Sequence, residues 1–132
     1  MSIELKTIGV VRTNAEAIPR HWSVSDVDGT LEIAEHYAAG LRDIEPGQRI
    51  VVLFHFDRSE PFSSADLIQM SGGEGRERGV FSTCSPVRPN PIGMSVVEVT
   101  AVRGAAIDVR HLDMLDGTPI LDLKPYIDVT AG

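Results

Sequence analysis

Cysteine, lysine and long apolar runs are nearly missing from this chain of 132 residues. Cys84 is the only cysteine, so no disulfide forms within the chain and a reducing compartment, the cytoplasm, is expected. One thiol cannot build a thiolate zinc site, and His21, His36, His55 and His111 show no paired ligand spacing. No metal is therefore expected. No apolar stretch approaches the length that crosses a bilayer, and the opening MSIELKTIGV lacks the basic start and apolar run of a secretory signal. No membrane partner is expected either.

Positive charge is also scarce. The formal net charge is −7, which excludes broad, phosphate-driven nucleic-acid binding but leaves room for one local basic patch. All basic residues except Lys6 and Lys124 are arginine, a choice suited to directed, bidentate contacts. With 42% hydrophobic and 23% charged residues, the composition is that of an ordinary globular domain. The length allows one domain with a real core, not two.

Helical crossovers are the last notable shortage. A doubly wound nucleotide fold needs several, and this chain has room for one. Tyr37, Leu41 and Ile44 recur at helical spacing between Glu35 and Ile44, and Pro46-Gly47 stops the pattern. That predicts one short helix.

Strands account for most of the rest. Ile3 to Val11, Thr30 to Ile33 after a turn at Gly29, and Ile50 to Phe56 read as strands. The last of these is apolar almost throughout, as if covered on both faces. Ser71 to Gly79 reads as a loop, and Val80-Phe81 as a short strand. Val97, Val99 and Ala101 alternate with polar residues, as do Ile107 and Val109 beyond Arg103-Gly104, which predicts a hairpin. The last strand, Ile120 to Ile127, puts Leu121, Leu123 and Ile127 on one face and Asp122, Lys124 and Tyr126 on the other. The expected fold is a mainly β, antiparallel single-sheet barrel with one short helix.

Three segments invite a functional reading. RGVFSTCSPVRPNPIGMS, from Arg78 to Ser95, packs Pro86, Pro89 and Pro91 around Arg88 and Asn90. Proline fixes its own φ and holds the preceding residue extended. A loop so stiffened serves equally as a rigid connection or as a ligand grip that loses little entropy on binding. DMLDGTP, from Asp113 to Pro119, is a tight turn by its Asp-Gly pair. It also offers carboxylates to a ribose diol or a cation, with Met114-Leu115 as an apolar wall. Gly73-Glu74-Gly75 followed by Gly79 falls short of a dinucleotide fingerprint, because the last glycine comes one residue late and no helix pattern follows.

RGVFSTCSPVRPNPIGMSVVEV, followed by LDMLDGTPILDLKPYI, closely resembles the TsaA-like proteins. Ile8 to Arg12 resembles that family's opening strand, and Pro19-Arg20-His21 its Pro-Arg-Gln segment. The bacterial members include an S-adenosylmethionine-dependent methyltransferase acting on the exocyclic amino group of the tRNA adenine beside the anticodon. The resemblance implies a single β-barrel domain over residues 1–132, in the short form without the C-terminal domain of longer members, and a homodimer. It further implies cofactor contacts from Arg20, His21, Asp57, Arg58, Arg88, Leu115, Asp116, Gly117 and Thr118.

Transfer from a sulfonium needs alignment and exclusion of water, with no covalent intermediate. The acceptor nitrogen has a delocalised lone pair, so an oxygen accepting its hydrogens would help. Asn90, followed by proline, is the first candidate by analogy with Asn-Pro loops, and Asp122 and Tyr126 are further ones. Two positions depart from the family: Cys84 stands where arginine is common, and Asp57 where histidine is frequent. The alternatives are a methyltransferase acting on a small molecule and a non-enzymatic module that binds S-adenosylmethionine.

Overall fold

The computed structural model describes residues 1–70 and 75–127. Eight strands appear among them: β1 (Gly9–Arg12), β2 (Asp28–Ile33), β3 (Arg49–His55), β4 (Ile68–Met70), β5 (Glu77–Gly79), β6 (Ile92–Arg103), β7 (Ala106–Arg110) and β8 (Pro119–Pro125). Six of these close an antiparallel barrel in the order β1-β2-β7-β6-β3-β8, with β8 returning to β1. The short β4 and β5 pair with each other apart from it. The barrel expected from the alternating strands is the barrel found.

Side-chain alternation fills its interior. Ile50, Val52 and Phe54 of β3 face Val97 and Val99 of β6, Ile107 and Val109 of β7, and Leu31 and Ile33 of β2, all in one buried cluster. The other face of β3, with Val51, Leu53 and His55, is only half-buried. The apolar run thus reflects one core face and one partly covered outer face, not two buried ones. Gly9, at the start of β1, is required by packing: a Cβ there would lie 2.3 Å from the Glu32 carbonyl oxygen across the strand pair.

Several boundaries differ from the sequence reading, each for a physical reason. Residues 3–8 precede β1; Ile8 still donates to the Ile120 carbonyl at 2.8 Å and accepts from the Ala34 N–H at 2.9 Å, but paired strand residues begin at Gly9, opposite Ile33 and Ile120. Glu35–Leu41 is a 3-10 helix and stops short of Ile44. Gly40 weakens any α-helix there, and Asp43 leaves helical space at φ 74°. Val80-Phe81 opens a 3-10 turn instead of a strand, with Val80 buried and Phe81 exposed. The glycine-rich segment contributes β5 on its far side, while Gly73-Glu74 of the fingerprint-like motif lies outside the described residues.

The last strand carries the most instructive difference. Leu53 pairs with Asp122 and Phe54 with Ile120, so the register slips by one residue at Leu121. An extra residue in one strand resets which side chains point inward. Ile120 is in the core and Leu123 packs against it, in place of the Leu121–Leu123 face expected from plain alternation.

Candidate functional site

Arg58, just beyond β3, and the turn before β8 meet at one end of the barrel. Gly117 adopts φ 83°, which favours glycine, and its N–H donates to the Val11 carbonyl at 2.7 Å. The Asp116 carboxylate accepts from the Thr13 N–H at 3.0 Å. Arg58 Nη2 donates to the Asp116 carbonyl at 2.9 Å and to Thr118 Oγ1 at 3.2 Å. Thr118 is buried, and its hydroxyl donates to the Leu115 carbonyl at 2.7 Å. The Asp-Gly-Thr turn is therefore held from β1, from β3 and from within.

The proline-rich loop is braced in the same manner. Arg88 Nη1 donates to the Thr83 and Ser85 carbonyls, each at 3.0 Å. Gln69 Nε2 donates to the Val87 carbonyl at 2.7 Å, which ties the loop to β4. The Pro91 carbonyl accepts from the Phe56 N–H at 2.8 Å and holds the loop's end against β3.

A third segment, around His21 and Trp22, completes the enclosure. Ser25 is buried; its hydroxyl donates to the Leu112 carbonyl and accepts from the Val27 N–H at 3.1 Å. His111, at φ 75°, contacts the Ser25 carbonyl through Nδ1 at 2.8 Å. These bonds fasten the chain after Trp22 to the chain before Asp113. His21 Nδ1 accepts from the Ser23 N–H at 3.3 Å, so a neutral ring carries its hydrogen on Nε2.

The three segments surround two adjoining cavities. The larger, about 560 Å³, is lined by Arg20, His21, Trp22, Phe54, Phe56, Cys84, Arg88, Ile92, Gly93, Met94, Asp113 and Leu115, among others. The smaller, about 200 Å³, adds Asp57, Arg58 and Thr118 and shares Phe54, Phe56, Pro86, Asp113 and Leu115 with it. Phe54 and Phe56 meet edge to face with centroids 4.9 Å apart, giving an apolar wall. Gly93 faces them closely: a Cβ there would lie 2.3 Å from Phe54 Cζ and 2.7 Å from Phe56 Cζ.

Asp113 belongs to both cavities. Its carboxylate accepts from the Ser95 hydroxyl, whose residue is fully buried on β6, and from the Trp22 backbone N–H. Burial pushes the Asp113 carboxyl above the ordinary carboxylate range, with Ser95, Trp22 and nearby His21 pulling the other way.

The residue set from the sequence divides on this geometry. Arg20, His21, Asp57, Arg58, Arg88, Leu115 and Thr118 line the two cavities, and Asp116 and Gly117 shape the turn between them. The three catalytic candidates are not brought in. Asn90 borders a separate cavity of about 270 Å³ with Ile3, Leu5 and Thr7, because its carbonyl accepts from the Ile92 N–H at 2.7 Å in a tight turn that leads into β6. Asp122 pairs with Lys124 at 3.0 Å. Tyr126 sits under the Arg49 guanidinium, 4.4 Å from its ring centre, beside a different cavity of about 620 Å³. Sequence reasoning gave Asp113 no role apart from its turn, whose carboxylates it offered to a ribose diol or a cation, and passed over Ser95, Trp22 and the Phe54–Phe56 wall. The remaining signal was the second carboxylate in DMLD, three residues before Asp116.

Residues 8–130 match the family model described as the tRNA-methyltransferase O N-terminal domain. The chain belongs to this family. It is the family that the two long motifs resembled.

Among its relatives, an S-adenosyl-L-methionine-binding protein of Archaeoglobus fulgidus is 43% identical over 125 residues, covering 92% of this chain and 88% of the relative. The tRNA (adenine(37)-N6)-methyltransferase of Homo sapiens is 41% identical over 93 residues, covering 70% of this chain and 20% of the human protein. A crystal structure of TrmO from Pseudomonas aeruginosa superimposes with a TM-score of 0.76 at 31% identity, covering 96% of this chain and 57% of that one. The chain thus spans most of the archaeal relative, over half of the bacterial TrmO and a fifth of the human protein. Among the described residues no group of His, Cys, Asp and Glu could hold a metal ion, and no helix is long and apolar enough to cross a membrane.

Proposed function

We propose that this domain binds S-adenosyl-L-methionine in the paired cavities and transfers its methyl group to the exocyclic amino group of an adenine in tRNA. The observation that carries the reading is the convergence of seven of the nine expected cofactor residues on one cleft of suitable size and chemistry. Phe54, Phe56 and Leu115 supply flat apolar surface for an adenine. Arg20 offers a guanidinium to a carboxylate, while Arg88 holds the loop beside it.

When bound, the sulfonium supplies an already activated methyl carbon. Held by Arg20, Arg58 and the Leu115–Thr118 turn, it would give up that methyl to the acceptor nitrogen and would keep the bonding pair on sulfur, the nitrogen's proton passing to solvent. The chain's task is to align the nitrogen with the breaking bond and to exclude water. Arg20 and His21 at the cleft mouth suit an RNA acceptor. A homodimer, as the family resemblance implies, is part of the same reading. A cytoplasmic location agrees with a tRNA substrate.

The coverage of the Archaeoglobus fulgidus relative, named for binding alone, favours a second reading as a cofactor-binding module. Two measurements decide. Calorimetry should show saturable binding of S-adenosyl-L-methionine, and labelled methyl should pass to bulk tRNA from a strain lacking this gene. Binding without transfer to tRNA leaves the module; no binding removes both.

A further inference from the structure

We propose that Asp113 is the residue that distinguishes the sulfonium form of the ligand from the thioether left after methyl loss, by placing a fixed, desolvated negative charge in the cleft. The inference rests on the cofactor reading above; it narrows the carboxylate–cation contact expected of the Asp113–Pro119 turn to one residue and gives that residue a part in telling two ligands apart. Among the described residues, Asp113 is the sole carboxylate lining the larger cavity, whose basic side chains are Arg20, Arg88 and His21. Among the described residues only Asp57 joins it in the smaller one.

Its position is built, not incidental. Ser95 is fully buried on β6 and gives its hydroxyl to this carboxylate, and Trp22 adds a backbone N–H. Both hold the group still without neutralising it. Burying a charge is costly unless a partner compensates it. Among the described residues no salt bridge joins Asp113 to an arginine or lysine, and its electrostatic support comes from nearby His21. A bound cation adds a full positive charge to that partial compensation.

The two ligand states differ in that one charge. A sulfonium near Asp113 is attracted, whereas the neutral thioether gives the half-buried carboxylate no added charge partner and is the weaker ligand. Entry of the methyl donor and departure of the spent product would thus both be favoured by one side chain.

The test is calorimetry of the whole chain with S-adenosylmethionine and with S-adenosylhomocysteine, in the wild type and in Asp113→Asn. The amide keeps the shape and an acceptor for Ser95 but removes the charge. The expected result is a loss of about tenfold for the sulfonium and less than about twofold for the thioether. Equal losses would overturn the proposal, since a merely structural or ribose-binding role moves both ligands alike. Unchanged affinity for both would overturn it as well. If the wild type binds neither compound, the cofactor reading itself fails and this inference falls with it. Should the variant not fold, the wild-type Asp113 carboxyl can be titrated by carbon NMR: the sulfonium must lower its midpoint more than the thioether does, and equal shifts refute the idea.

Discussion

Arg58 donates to the Asp116 carbonyl at 2.9 Å across 58 positions of sequence and thereby fastens the end of β3 to the turn before β8. Its second bond, to Thr118 Oγ1 at 3.2 Å, engages a hydroxyl that already serves the Leu115 carbonyl. A guanidinium expected to contact the ligand is thus first a clamp on the turn that contacts it.

Arg58→Ala should accordingly loosen that turn. The guanidinium is about half exposed, so the expected stability loss is about 1–2 kcal/mol. Affinity for S-adenosylmethionine should fall more than stability does. Arg58→Lys should recover only part of it, because Nη2 makes both bonds from the far end of the guanidinium, a reach the shorter lysine side chain does not match. Thermal unfolding together with calorimetry checks this, and full rescue by lysine would reject the clamp.

Gly93→Ala tests the close approach behind the cleft wall. The new methyl would sit 2.3 Å from Phe54 Cζ, forcing a core phenylalanine to move. The expected cost is about 1–3 kcal/mol, seen as a lower denaturant midpoint, with weakened ligand binding because Phe54 and Phe56 both line the cavities.

Asn90→Ala should leave the affinity for S-adenosylmethionine within about twofold of wild type, since Asn90 borders another cavity. Asp122→Asn and Tyr126→Phe should behave alike in the same calorimetric assay. A tenfold loss in any of them would place that residue at the ligand, through a neighbouring chain.

Two carboxylates should give stability opposite dependences on pH. Burial raises the Asp113 carboxyl, so the folded state holds its proton to higher pH than the unfolded chain. Its contribution is therefore largest at acid pH and declines as pH rises from the ordinary carboxylate value, about 3.9, through the raised folded value. Asp108 is lowered, chiefly by the hydrogen bond from Arg103 and then by that from Thr30. Its contribution is present above the unfolded value and is lost as pH falls through the folded one. Thermal melts of Asp113→Asn and Asp108→Asn against pH should therefore diverge from wild type in opposite directions across the acid range.

The alternation of Val97, Val99, Ile107 and Val109 was enough to read the β6–β7 hairpin, because side chains two apart must share a face. Gly117 and the prolines at 86, 89 and 91 were equally legible, since their dihedral limits act within one or two residues. Local sequence could not show the slip at Leu121, which exists only because β3 pairs there with β8. Nor could it show that Asp113, one of two acids in a short turn, is the one half-buried against Ser95. Backbone preference is a property of neighbours along the chain and is written in the sequence. Desolvation depends on which distant segments close over a group, and only the folded barrel decides it.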